Sequence, residues 1–174
     1  RIKALNRFLS DNSFSIDNHR VQLRMLTHYD IDLWTEFVNS CSPRSLWLRF
    51  LSPFYVTPER AQKFCNINLD KEIAVVAEMI SDNIKKLVGV GRLIKCRQCD
   101  EAEYAVIVTD SWQKKKLGYM LSLTCLNLAK HLGIRIVHAE IIDENFPMIK
   151  VLNRCRFKME TKERNMLLMS LMLK

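Results

Sequence analysis

The stretch Asp110-Ser111-Trp112-Gln113-Lys114-Lys115-Lys116-Leu117-Gly118 is a short polar loop set between an apolar β-type run, Ala102 to Thr109, and the start of a helical pattern. A helix N-terminus offers unpaired backbone N–H groups and the positive end of the helix dipole, so a phosphate or pyrophosphate placed against such a loop gains several hydrogen bonds. Lys114, Lys115 and Lys116 would add Coulomb attraction. The same spacing also suits a solvated connection whose lysines only keep it soluble, and spacing alone leaves both readings open. Cys96-Arg97-Gln98-Cys99 is the second arrangement with chemical potential. A structural zinc needs four ligands, and no second Cys-x-x-Cys or His-x-x-x-His pair is present, so no metal is expected. Two ordinary turn cysteines are favoured there over a redox pair. Most of the other cysteines, Cys41, Cys65, Cys125 and Cys155, sit in apolar patterns where Cys acts as a small hydrophobe, which points to reduced thiols and a cytoplasmic location. His19, His28, His131 and His138 show no paired spacing and receive no role.

These residues need a scaffold, and the periodicities supply one. Ile2 to Leu9 is a short amphipathic segment, and a polar stretch runs from Ser10 to Asn18. Arg20 to Leu26 alternates as a half-buried strand. Asp30 offers an N-cap to a helix through Asn39, Ser42-Pro43 opens a second ending near Leu51, and Thr57-Pro58-Glu59 opens a third through Cys65. Glu72 to Ile80 and Lys86 to Lys95, divided by Ser81-Asp82-Asn83, predict an antiparallel hairpin. A turn at Arg97 to Asp100 leads into Ala102 to Thr109. Leu117, Leu121, Cys125, Leu128 and Leu132 follow helical spacing, with Gly133 placed for a left-handed C-terminus. Ile134 to Ile142 reads as a buried strand, Phe146 to Arg154 as a helix, and Phe157 to Glu160 with Asn165 to Leu173 as closing strands. The expected class is α/β of the α+β type: a mixed, mostly antiparallel sheet of about six to seven strands with helices on both faces.

The chain of 174 residues with 48% hydrophobic content is long enough for one core and has no Gly/Pro/Ser-rich linker. We expect residues 1–19 to be an extension or linker from an upstream region, consistent with a start at Arg1, and residues 20–174 to form the domain. Apolar runs such as Ile73 to Ala77 and Met166 to Met169 fall far short of the roughly 20 residues that cross a bilayer, so no membrane partner is expected. The net charge of +8 would suit a polyanion. The basic residues are dispersed apart from the lysine triplet, however, and a phosphate-bearing small molecule explains that cluster more simply than nucleic acid.

Several segments, in order, resemble the Gcn5-related N-acetyltransferase (GNAT) superfamily. Gln113 to Gly118 is similar to its coenzyme A-binding motif Q/R-x-x-G-x-G/A. Val21-Gln22-Leu23-Arg24, Ser42 to Phe50, Val88-Gly89-Val90-Gly91-Arg92-Leu93, Glu103 to Gln113 and Asn145-Phe146-Pro147-Met148 resemble the branch of Pat protein lysine acetyltransferases. The resemblance covers residues 20–174. It implies the GNAT fold and acetyl-CoA as co-substrate, with the pantetheine arm lying between two splayed strands. Backbone at Val106 and Val108 would hold that arm. The loop from Gln113 through Lys114, Lys115, Lys116, Leu117 and Gly118 would take the pyrophosphate, with Tyr119 and Asn145 completing the cofactor site. The acceptor would be a protein lysine or a small-molecule amine. An upstream acyl-CoA synthetase-like or regulatory domain is a further implied partner.

An amine near pKa ~10.4 must lose a proton before it attacks a thioester. The resemblance assigns that task to Glu103, whose partial burial beside apolar strands would raise its pKa. Glu101, on the same strand face, is the rival, and a surface glutamate without function is the plain alternative. The chain departs from the family pattern at Lys116, which replaces the middle glycine, at Leu152, which replaces a tyrosine acid, and at Arg156, which replaces a glycine. These departures keep a catalytically inactive acyl-CoA sensor as the alternative to an enzyme. The run Met166 to Leu173 is read as an internal strand.

Overall fold

The computed structural model describes residues 1–174. In chain order the elements are α1 (Ile2–Leu9), β1 (Ser13–Ile16), β2 (His19–Met25), α2 (Ile31–Ser40), α3 (Pro43–Phe50), α4 (Pro58–Cys65), β3 (Glu72–Ser81), β4 (Ile84–Lys95), β5 (Glu101–Val108), α5 (Leu117–His131), β6 (Ile136–Ile142), α6 (Phe146–Arg154), β7 (Lys158–Glu163) and β8 (Met166–Met172). They form one 8-stranded sheet in the order β1-β2-β3-β4-β5-β6-β8-β7. Every neighbouring pair is antiparallel except β5–β6.

The sheet has one strand more than the upper expectation. β1 comes from the polar stretch before residue 19, turned onto β2 by Asp17 and Asn18, both at positive φ, as a tight hairpin turn requires. Residues expected as an extension therefore pack with the rest: Leu5, Leu9 and Ile16 are buried in the main core.

That core lies on the face covered by α1, α5 and α6, where Leu121, Cys125 and Leu128 meet Val75, Leu93 and Val137. Gly91 of β4 permits the approach of α5, because a Cβ there would sit 2.7 Å from the Cys125 sulfur. A second cluster on the opposite face joins Trp34, Phe37, Leu46 and Cys65 of α2, α3 and α4 to Val76, Val90 and Ile107. Ser42 and Thr57 cap α3 and α4 as their sequence signals predict, each accepting the N–H of the residue three positions on.

Asp30 does not cap α2. Its carboxylate instead accepts two hydrogen bonds from Arg24, at 2.8 and 2.9 Å, and one from the Thr27 N–H at 2.8 Å. Arg24 also reaches Glu78, at 2.7 Å. Asp30 and Glu78 are only 5% and 4% exposed, so the network binds β2, β3 and the entry to α2 where water is scarce. The paired Cys96 and Cys99 are the other departure: they are joined as a disulfide in the β4–β5 turn, while Cys41, Cys65, Cys125 and Cys155 are free and buried.

Burial alone would raise the Asp30 pKa, but the hydrogen bonds from Arg24 and Thr27 outweigh it and hold the carboxyl below its usual range. A depressed carboxyl contributes stability above its unfolded pKa, about 3.9, and loses that contribution as pH falls through the folded value. Asp30→Asn should therefore cost about 2–3 kcal/mol in urea unfolding at pH 7. The gap from wild type should narrow below about pH 4, and a gap unchanged there would remove the ion-pair account.

Candidate active site

β5 and β6 run in register only from Glu101–Ile136 to Glu103–His138, and then part. A strand edge must satisfy its backbone groups somehow, and beyond Glu103 this edge opens onto a cleft of about 370 Å³. Val106, Ile107 and Val108 form its floor. α3 contributes Ser45, Leu48 and Arg49, the start of α5 contributes Gly118 and Tyr119, and α6 supplies the remaining wall with Asn145, Met148, Val151 and Arg154.

The backbone at the floor is oriented by strand geometry. Thr109 N–H donates to the Val88 carbonyl of β4, so Val108 faces away from β4, and the period of two turns Val106 the same way. The Val108 carbonyl is met by the Gln113 side-chain amide at 2.9 Å. The N–H and C=O of Val106 face the cleft. The Gln113 amide also donates to Ser45 Oγ at 3.0 Å, so its side chain fastens the loop to β5 and α3.

The loop ends in a donor array. Lys114 and Lys116 both have positive φ, 60° and 66°, and the first backbone bond of α5 runs from Met120 to Lys116. The N–H groups of Lys114 through Tyr119 have no protein acceptor. Lys116 thus takes the left-handed conformation that suits glycine and leaves the donors free, at a strain cost of about 1–2 kcal/mol. Asp110 holds the loop from behind, accepting from the Ser42 N–H and Oγ, both at 2.8 Å, and from Ser45 Oγ at 3.1 Å. Burial alone would raise the Asp110 pKa, but these hydrogen bonds keep it below the usual range.

Of the residues singled out from the sequence, Val106, Val108, Gln113, Lys114, Lys116, Gly118, Tyr119 and Asn145 line the cleft. Asn145 also caps α6 through the Met148 N–H. Lys115 turns away, pairing with Asp17 at 2.5 Å and lying over the Trp112 ring. The Leu117 side chain is buried in the core, so only its N–H is available. Glu103 does not line the cleft. It is exposed at the point where the strands part, without a hydrogen bond or ion pair, so its expected partial burial is not found. Glu101 beside it is hydrogen-bonded to His138 Nε2 at 2.8 Å.

Leu152 is fully buried, and the one buried tyrosine of β5, Tyr104, spends its hydroxyl on Ser122 at 2.8 Å. The lining residues that the sequence did not single out are mainly those of α3 and α6. Their helical spacing at Pro147, Val151 and Arg154 marks a face, but not what that face covers. No Asp or Glu lines the cleft, and its Lys114, Lys116, Lys150 and Arg154 are an electrostatic fit for a multiply phosphorylated ligand.

Comparison with known proteins gives the family and the fold. A family described as the acetyltransferase (GNAT) domain matches residues 20–158. An acetyltransferase of Pseudomonas aeruginosa is 26% identical over 124 residues, 71% of this chain and 67% of that protein. Among solved structures, the GNAT domain of S. lividans PAT superposes with a TM-score of 0.82 at 20% identity, over 92% of this chain and 96% of that one. The spermidine N-acetyltransferase of Vibrio cholerae, in complex with CoA and spermine, superposes with a TM-score of 0.72 at 19% identity, over 87% and 95% of the two chains.

The different directions taken by the three lysines give a direct test. Lys114→Ala and Lys116→Ala should each weaken acetyl-CoA binding by about fivefold, roughly 1 kcal/mol, and by less at high salt. Lys115→Ala should leave affinity within about twofold. Equal losses at all three positions in calorimetric titrations would contradict the arrangement.

Proposed function

The chain belongs to the acetyltransferase (GNAT) domain family, and from that premise we propose that it acetylates lysine side chains of proteins, using acetyl-CoA as donor and Glu103 as general base. The observation that carries the reading is the parting of β5 from β6 at Glu103 and His138, with the free N–H groups of Lys114 to Tyr119 at the far end of the gap. A pyrophosphate bound to those donors leaves the pantetheine arm to run along the Val106 edge toward Glu103. The acetyl group then lies where the sheet opens.

In this reading the Val106 N–H donates to the thioester oxygen as negative charge develops there. The acceptor nitrogen attacks the carbonyl carbon directly, forming the C–N bond as the C–S bond breaks. Glu103 takes the proton from the amine, directly or through one water, and the thiol of CoA departs as thiolate without a protein acid. Protein acceptors are favoured by the bare half of the sheet next to this point. On the side of α3, Glu140 of β6 and Met172 of β8 are exposed. The P. aeruginosa relative and the PAT domain carry acetyltransferase names consistent with this reading.

Release of CoA thiol in the presence of acetyl-CoA and lysine-containing acceptors tests the assignment. Glu103→Gln should lower kcat by about 10²-fold while acetyl-CoA affinity stays within about twofold. Equal kcat in the two proteins would remove Glu103 as the base, and transfer of its role to Glu101 would be read from Glu101→Gln.

A further inference from the structure

Two arginines lie side by side between α3 and the sheet, and only one has a partner. Arg92 of β4 is 4% exposed and fully engaged: it pairs with Glu72 at 2.7 Å and donates to the Phe64 carbonyl at 2.8 Å. Arg49 of α3 makes neither a hydrogen bond nor an ion pair. Its guanidinium lies 4.7 Å from the centroid of the Phe50 ring, and the residue lines the cleft with Leu48, Val106 and Ile107. The side chain is half-buried. Burial and the charge of Arg92 push its pKa down to about 10, so it stays cationic at neutral pH. A guanidinium carries five N–H donors in a planar fork, and apolar walls satisfy none of them. In the free protein the Phe50 ring is its close partner and Glu103 acts on it without contact, so no hydrogen-bond acceptor offsets its burial.

Its position says what would pair with it. Arg49 and Arg92 line the same small pocket beneath α3, with Phe64 and Ile107, and Arg92 lies opposite Ala105 across the β4–β5 ladder. Arg49 therefore sits at the level of residues 103–105, where β5 leaves β6. Lys114, Lys116 and the free N–H groups mark the other end of the cleft. The phosphates of the donor belong at that other end, and the pantetheine arm between the two is uncharged. Glu103 acts on Arg49 without touching it, so an anion in contact with the guanidinium must come in with the acceptor.

We propose that Arg49 binds a carboxylate carried by the acceptor, next to the amine that is acetylated. The proposal rests on the acetyl-transfer reading above and names the acceptor class within it. That class is an amine with a neighbouring carboxylate, not a polyamine, whose charges Arg49 repels. The fork geometry suits a bidentate carboxylate, which a lysine ammonium would match less well. The carboxylate has two sources, the α-carboxylate of a free amino acid or an Asp or Glu beside a protein lysine, and both present the same group.

The test is calorimetric titration of the protein saturated with CoA, which permits binding without transfer. One matched pair is lysine and lysinamide, and the other is a terminally blocked Asp-Lys dipeptide and its Asn-Lys counterpart. In at least one pair the carboxylate member should bind about tenfold more tightly to wild type, and that pair identifies the source. Arg49→Gln should bring the ratio within about twofold and leave CoA affinity unchanged, while Arg49→Lys should keep part of the preference. Because the charge is unpaired in the free protein, the Tm of Arg49→Gln without ligand should equal or exceed that of wild type. The proposal is overturned by equal or absent binding of both members in both pairs, by a preference that survives Arg49→Gln, by loss of CoA affinity in that variant, or by a Tm several degrees lower. If CoA itself does not bind wild type, the acetyl-transfer reading fails and takes this proposal with it. CoA binding without carboxylate preference overturns this proposal alone.

Discussion

A β-strand whose neighbour leaves it midway must find other partners for its backbone, and that requirement organises the site. β5 is fully laddered to β4 along one edge but meets β6 only from Glu101 to Glu103. Past that point Val106 and Val108 turn N–H and C=O groups into a gap. The protein answers only part of the demand, by sending the Gln113 amide back to the Val108 carbonyl. The rest suits a ligand that behaves like one more strand. A chain with amide groups and a phosphorylated end meets that description, because the gap leads directly to the free donors at the start of α5.

Holding the gap open requires rigidity on both sides. On one face, α5 lies close to β4 because Gly91 leaves room for Cys125, and this close contact fixes the helix start relative to Val108. On the other face, Asp110 binds the N-terminus of α3 through Ser42 and Ser45, so the helix bearing Arg49 and the phosphate-end loop move as one piece. The Arg24 network with Asp30 and Glu78 performs the same service at the opposite end of the helical layer, by tying the entry of α2 to β2 and β3. Of the residues making these contacts, only Ser45 reaches the cleft wall. Together they set the distance between the two ends of the cleft.

Much of this was legible in the sequence wherever a local rule decides the outcome. The Ser42-Pro43 and Thr57-Pro58 pairs start their helices where capping chemistry places them, and Phe146 to Arg154 is a helix with those bounds. β1 was hidden because Ser13 to Ile16 is short and half polar, and becomes a strand only by pairing with β2. Asp30 fits the capping pattern, yet Arg24, brought near by the strand before it, offers the carboxylate a charged partner. The lysine triplet is uniform in sequence, and only the positive φ angles at Lys114 and Lys116, with Asp17 waiting on the β1–β2 turn, send Lys115 elsewhere. Glu103 is exposed because no helix covers the β6, β8 and β7 part of the sheet on its side, a fact of tertiary layering that strand alternation cannot express. Arg49 carries no local mark at all. Its significance comes from what α3 is laid against.

The central claim is that the main-chain donors from Lys114 to Tyr119 bind the diphosphate of an acyl-CoA laid along the open edge of β5. Amide NMR resonances followed during titration with CoA measure this residue by residue. The account predicts that the largest shifts fall on Lys114 to Tyr119 and on Val106, with little change along β2 and β3. Saturable CoA binding that leaves those amides unmoved, or that moves others instead, would contradict it.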